Sequence, residues 1–131
     1  VPFALALTVV LALLAVFQLA LALGAPLGRY AWGGQHRVLP PRLRVGSVVS
    51  ILIYALIALI AWTRVRAIGL FPDGFSDVAM WVVFAYFVLG IVMNAISRSK
   101  PERNAMVPVT IVLSVLSFLV AMGYGELAMA I

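Results

Sequence analysis

The chain has 131 residues, 66% hydrophobic and 10% charged, with a mean hydropathy of +1.20 and a net charge of +5. A soluble domain of this size would not hide so much apolar surface, and the absence of cysteine excludes disulfides, thiolate nucleophiles and Cys-ligated metals. The excess positive charge falls in short stretches between apolar runs, where it reads as topology and attraction to anionic lipid, not as a nucleic-acid footprint.

Four runs carry no charge: Val1 to Gly28, Val45 to Thr63, Val78 to Ser97 and Asn104 to Gly125. About 20 apolar residues in a helix cross the ~30 Å hydrocarbon core, and a helix pairs its own backbone groups where no water can. The expectation is all-α: a transmembrane four-helix bundle, one domain over 1–131, with spans near 1–23, 45–63, 78–97 and 104–125. The first run lacks a basic leader and is too long for a signal-peptide core, so it is read as a span. Gly24, Pro26 and Gly28 end it. Pro40 and Pro41 close the first connection, Gly69, Pro72 and Gly74 mark the second, and Pro101 marks the third. Pro108 is expected within the first turn or so of the fourth helix, where a missing N–H costs little.

The first connection carries Arg29, Arg37, Arg42 and Arg44, and the third carries Arg98, Lys100 and Arg103. The second has Arg64 and Arg66, offset by Asp73 and Asp77. Seven basic residues against two predict cytoplasmic first and third connections and external termini. Tyr30 and Trp32 then fall at the inner interface, with Trp62, Trp81 and Tyr124 at the outer one.

Each span has a small-and-polar stripe at helical spacing: Thr8, Ala15, Gln18 and Ala22; Ser47, Ser50, Tyr54, Ala58 and Ala61; Tyr86, Gly90, Asn94 and Ser97; Thr110, Ser114, Ser117, Ala121 and Tyr124. Helices associate in lipid through small residues and a few hydrogen bonds, so the stripes read first as packing seams. Gln18, Ser47, Ser50, Asn94, Ser97, Thr110 and Ser114 all fall in the cytoplasmic half. A pore would want polar lining along its whole length, so this pattern predicts a cytoplasm-facing polar vestibule, not a continuous monomeric pathway. No charge lies at mid-depth; Arg64 and Glu126 both fall near the outer ends of their spans. The membrane-buried carboxylate on which small four-span proton-coupled exporters rely is missing from the first span.

Two segments are the most distinctive: Gly28-Arg-Tyr-Ala-Trp-Gly-Gly-Gln-His-Arg-Val-Leu-Pro-Pro41 and Asn94-Ala-Ile-Ser-Arg-Ser-Lys-Pro-Glu-Arg-Asn104. On them the chain resembles a group of small four-span bacterial integral membrane proteins; the resemblance runs over nearly the full length and implies a bacterial setting, with no activity attached. If the segments meet beneath the bundle, Arg29, His36, Arg37, Arg42, Arg98, Lys100 and Arg103 ring the mouth of the vestibule. Arginine suits bidentate phosphate binding, so an anionic head group is the expected ligand; the plainer reading is positive-inside charge that touches anionic lipid. His36 stands without nearby carboxylates and reads as an interfacial histidine, not a metal ligand.

No paired carboxylates, Ser–His–Asp set, His–Glu metal motif or phosphate-binding glycine loop is present. The leading expectation is therefore a non-enzymatic inner-membrane protein without cofactor or metal, packing as a homo-oligomer or as an accessory subunit of another membrane protein, with anionic lipid in the vestibule. A channel or carrier whose pathway forms at an oligomer interface is the alternative. A lipid-head-group enzyme using Arg29, His36 and Glu102 ranks third.

Overall fold

The computed structural model describes residues 2–123. Tyr124 and Glu126, assigned above to the outer interface and the outer end of the last span, lie outside the described residues. Four helices follow in order: α1 (Pro2–Ala22), α2 (Pro41–Arg64), α3 (Asp73–Ala95) and α4 (Lys100–Ala121). Each is long and apolar enough to cross a membrane. At ~1.5 Å per residue they run roughly 32–36 Å. Large apolar side chains such as Leu13, Leu52, Val82 and Val112 stay exposed around the outside, as befits a protein embedded in lipid.

Three of the four helices begin earlier than the uncharged runs suggest. Pro41 opens α2 behind Pro40, and Arg42 and Arg44 belong to its first turn. Asp73 and Asp77 belong to α3. Ser99 caps α4, accepting from the Glu102 amide at 3.4 Å, with Pro101 in the first turn. The absence of charge marks the hydrocarbon depth, whereas a helix continues until its backbone pairing stops, and long charged side chains reach out from the extra turns. As a consequence Pro108 is inside α4, not in its first turn. Its ring leaves the Asn104 carbonyl without the usual amide partner. At the other end of the first connection, α1 stops at Ala22, and Gly24 takes a left-handed φ of 96°.

α1 and α2 pack closely as one hairpin and α3 and α4 as another, with lighter contact between α1 and α4 and between α2 and α3. The core lies toward the end carrying the second connection, where Leu7, Leu11, Ile60, Ala61, Met80, Val83 and Val120 are buried together. The seam on α4 is as its spacing predicts: Ser114, Ser117 and Ala121 are all buried. At that same end Trp62 Nε1 donates to Thr8 Oγ1 at 2.8 Å, pinning α1 to α2. The aspartates set against Arg64 and Arg66 in the sequence pair with them. Asp77 meets Arg64 at 3.4 Å and Arg66 at 3.1 Å, and Asp73 meets Arg66 at 3.4 Å. Arg64 also donates to the Ala121 carbonyl at 3.1 Å, which ties α2 to the end of α4.

The opposite end is built differently. Residues 23–40 fold back as two short 3₁₀ turns, Gly28–Tyr30 and Trp32–Gly34. A small second core of Leu21, Ala31 and Leu39 anchors them.

Candidate functional site

Between the two hairpins, in the half that holds the first and third connections, lies a cavity of about 430 Å³. All four helices contribute to its wall. α1 supplies Phe17 and Gln18, α2 Ser50 and Tyr54, α3 Tyr86, Phe87, Gly90 and Asn94, and α4 Glu102, Met106 and Thr110. Tyr30, Ala31 and Trp32 of the first connection close its end. Gln18 Nε2 donates to Tyr54 Oη at 3.4 Å, whereas Gln18 Oε1 has no partner among the described residues. Thr110 turns its hydroxyl back to the Met106 carbonyl at 2.7 Å.

The cap is held by specific contacts. The two distinctive segments do meet: Ser99 Oγ donates to the Arg29 carbonyl, and the Gly33 amide donates to Glu102 Oε2 at 3.3 Å. Gly34, at φ 72°, sits against Ser99 so closely that a side chain there would overlap Ser99 Cβ. Gly28 is equally constrained, since a Cβ on it would run into the His36 carbonyl, and its own amide donates to the Arg37 carbonyl at 2.9 Å. Trp32 lies across α2: Nε1 donates to Ser47 Oγ at 3.3 Å, and a Cβ on Gly46 would come within 2.9 Å of the indole. Tyr30 and Trp32, expected as an interfacial belt, are therefore parts of the cap and the cavity wall.

Of the residues assigned to the vestibule, Gln18, Ser50, Asn94 and Thr110 line the cavity. Three do not. Ser47 is buried under Trp32, Ser97 Oγ accepts from the Ser99 amide at 3.2 Å, and Ser114 is buried in the α4 seam. Among the described residues none of the seven basic candidates lines it either. Arg29, Arg37, Arg42, Arg98 and Lys100 are exposed, and His36 is half-buried beside the Gly28 turn. Arg29 stacks on Tyr30 with its guanidinium 4.9 Å from the ring centre, and Arg103 donates to the Ser97 carbonyl at 2.6 Å. The charged group that does reach the cavity is Glu102, only 7% exposed.

Phe17 and Phe87 are not singled out by the sequence, while Tyr54 and Tyr86 are read there as seam residues and Glu102 as a member of the third-ranked enzyme set; all five belong to the cavity wall. Tyr54 and Tyr86 stand in the small-and-polar stripes, and Ser99-Lys-Pro-Glu102 has the spacing of a capping box; both signals were present. Among the described residues no cluster of His, Asp or Glu is placed to hold a metal ion. No protein-family model, curated protein or solved structure matches the chain. Geometry alone therefore carries the functional argument.

Proposed function

We propose that this is a non-enzymatic binding protein of a bacterial inner membrane, which holds a membrane-derived small molecule in the capped cavity between its hairpins. The observation that carries this reading is the cavity itself: the polar groups of four spans converge on about 430 Å³ at one end, while the other end is a packed core. A volume of that size suits a small ligand or a lipid head group. The excess of Lys and Arg around the first and third connections favours placing that end in the cytoplasm, with the exposed Arg and Lys touching the head groups of surrounding anionic lipid. The polar residues on α1 to α4 thicken toward the cap and thin out beyond it, which favours a binding site over a pathway through the monomer. Association with a second copy or with another membrane protein would use the exposed apolar faces.

The test is to purify the protein in a mild detergent and identify what comes with it by native mass spectrometry. Gly90 lines the cavity, and a Cβ there meets only Thr110 Cγ2, at an ordinary 3.5 Å. Gly90→Leu is thus expected to fill the cavity without unfolding the bundle and to abolish the bound species. A copurified molecule retained undiminished by Gly90→Leu would sink the reading.

A further inference from the structure

The lining of the cavity contradicts the charge of the end it sits in. The chain is net positive and its basic residues crowd this end, yet among the described lining residues there is no Lys, Arg or His, and there is one carboxylate, Glu102. Glu102 makes no ion pair among the described residues. Its anion is offset by the first turn of α4 and by the Gly33 amide. A carboxylate can accept about four hydrogen bonds, so this one retains capacity toward the cavity. The same wall carries six aromatic rings, those of Tyr30 and Trp32 on the cap that Glu102 fastens and those of Phe17, Tyr54, Tyr86 and Phe87 on the helices. Rings present a negative face, and aromatic walls with one carboxylate are the chemistry that recognises an alkylated ammonium. A phosphate would want donors, and the wall offers it only amides and hydroxyls.

A second feature says how such a ligand is built. Tyr86 also lines an apolar groove of about 550 Å³ between α2 and α3, walled by Ile53, Ile57, Ile60, Val78, Val82 and Val83. The groove occupies the opposite half of the span, and Tyr86 lines both it and the cavity. On the aqueous side the cap is fastened by Gly33, Trp32 and Ser99, whereas the groove opens between exposed side chains such as Val78 and Val82. From Glu102 to Leu113 along the cavity is about 16 Å and from Tyr86 to Gly74 along the groove about 18 Å, each at ~1.5 Å per residue.

We propose that the cavity binds an amphiphile with an alkylammonium head and one apolar tail, the head beside Glu102 within the aromatic wall and the tail leaving past Tyr86 into the α2–α3 groove. The proposal rests on the reading of the cavity as a ligand site and adds the ligand's charge, shape and sideways route from the bilayer. The shared chemistry has two sources, a free amphiphilic amine or the quaternary head of a zwitterionic phospholipid.

The experiment titrates the whole protein, in a maltoside detergent, with hexadecyltrimethylammonium, hexadecylphosphocholine and hexadecyl glucoside, whose chains are long enough to pass Tyr86 with the head beside Glu102, and reads bound probe by native mass spectrometry. Hexadecyltrimethylammonium is expected to bind one per chain, about tenfold or more tighter than hexadecyl glucoside, a margin that one desolvated cation–ring contact can supply. Glu102→Gln, which keeps an acceptor for Gly33, should erase that margin. Tyr30→Leu, which removes a ring of the cap, should narrow it independently. Val82→Trp should weaken hexadecyltrimethylammonium and spare tetramethylammonium, and an equal effect on the two overturns the route along the groove. Hexadecylphosphocholine binding as tightly as the trimethylammonium assigns the head to a phospholipid, and weaker binding assigns it to a free amine. Equal affinity for the charged and neutral probes, or a margin that survives both Glu102→Gln and Tyr30→Leu, overturns the assignment of charge while the cavity remains a ligand site. Binding of none of the three by the parent overturns both.

Discussion

The Gly33 amide donates to the Glu102 carboxylate across 3.3 Å, joining the first connection to the first turn of the last helix. Ser99 and Glu102 have the spacing of a capping box, in which the glutamate reaches back to the amide of the capping serine. Here that amide is taken by Ser97 Oγ at 3.2 Å, and the Glu102 carboxylate turns to a loop 69 residues earlier in the chain. A local helix-start signal has become a long-range fastening of the cap. The same carboxylate lines the cavity, so the side chain that fastens the cap is also part of the cavity wall.

The neighbouring glycines separate strain from contact. Gly33 and Gly34 both have positive φ, 78° and 72°, but a Cβ on Gly33 meets nothing within 4 Å, whereas one on Gly34 overlaps Ser99. Gly33→Ala is expected to cost about 1–2 kcal/mol in backbone strain alone. Gly34→Ala carries that strain and also pushes the cap away from α4. Hydrogen exchange should therefore rise across residues 28–40 in Gly34→Ala and stay near the parent in Gly33→Ala. Similar exchange in the two variants would show that the Gly34–Ser99 approach does not hold the cap.

A second test of the cap uses the Trp32 indole. Gly46 leaves room for the indole, with ring atoms 2.9 Å from where its Cβ would be. Gly46→Val should displace Trp32 from Ser47 and expose it, shifting tryptophan emission to longer wavelength. Ser47→Ala removes one neutral hydrogen bond, worth about 1 kcal/mol, and should leave the ring in place. Unchanged emission in Gly46→Val would mean that Trp32 does not rest on α2.

The bundle and its seams were legible in the sequence because lipid imposes a simple requirement: uncharged length, with small residues where helices touch. Gln18, Asn94 and Thr110 were readable as inward-facing for the same reason. What stayed hidden depends on tertiary return. Nothing local to Trp32 says that it will fold back over Gly46, and the interfacial preference of aromatics gives a competing reading. Glu102 enters the sequence reading only in the third-ranked enzyme set, because in a stretch with Arg98, Lys100 and Arg103 the charge balance reads basic, while burial picks out the one acid. Loss of charge marks the hydrocarbon depth and not the helix starts, which Pro41 and Ser99, both helix-start residues, mark better.

The α4 seam gives a stability prediction. Ser114 and Ser117 are buried with hydroxyls that have no partner among the described residues, while Val112 is 46% exposed. Their role is to let backbones approach, so Ser114→Leu should destabilise by overpacking, about 1–3 kcal/mol. Ser117→Ala removes an unpaired hydroxyl and is expected to be neutral or stabilising, and Val112→Leu should be neutral. The check is thermal melting in one detergent. Equal melting temperatures for Ser114→Leu and Val112→Leu would count against the seam.

The ion cluster at the second connection distinguishes two aspartates. Asp77 bridges Arg64 and Arg66, and the Arg64 side chain is only 11% exposed, whereas Asp73 is 72% exposed and among the described residues pairs with Arg66 alone. Exposed pairs are worth little, and partly buried networks more. Asp77→Asn should lower stability by about 1 kcal/mol and Asp73→Asn by less than half of that. Raising salt should shrink the gap. Equal losses would mean that the network adds nothing to its parts.

Orientation is decided by side-specific labelling, with sites chosen for exposure. Gln35 and Lys100 are exposed at the end carrying the first and third connections, and Gly69 is exposed at the other. Ser76 and Ser99 are poor choices, one fully buried and one in contact with Gly34. The chain has no cysteine, so each single Cys substitution reports alone. With seven basic residues at one end and two, paired with aspartates, at the other, the positive-inside rule predicts a cytoplasmic cap. In intact cells a membrane-impermeant thiol reagent should label Gly69→Cys and spare Gln35→Cys and Lys100→Cys until the cells are opened. Labelling of Gln35→Cys and Lys100→Cys with Gly69→Cys protected would invert the protein, placing cavity and basic rim on the outer side.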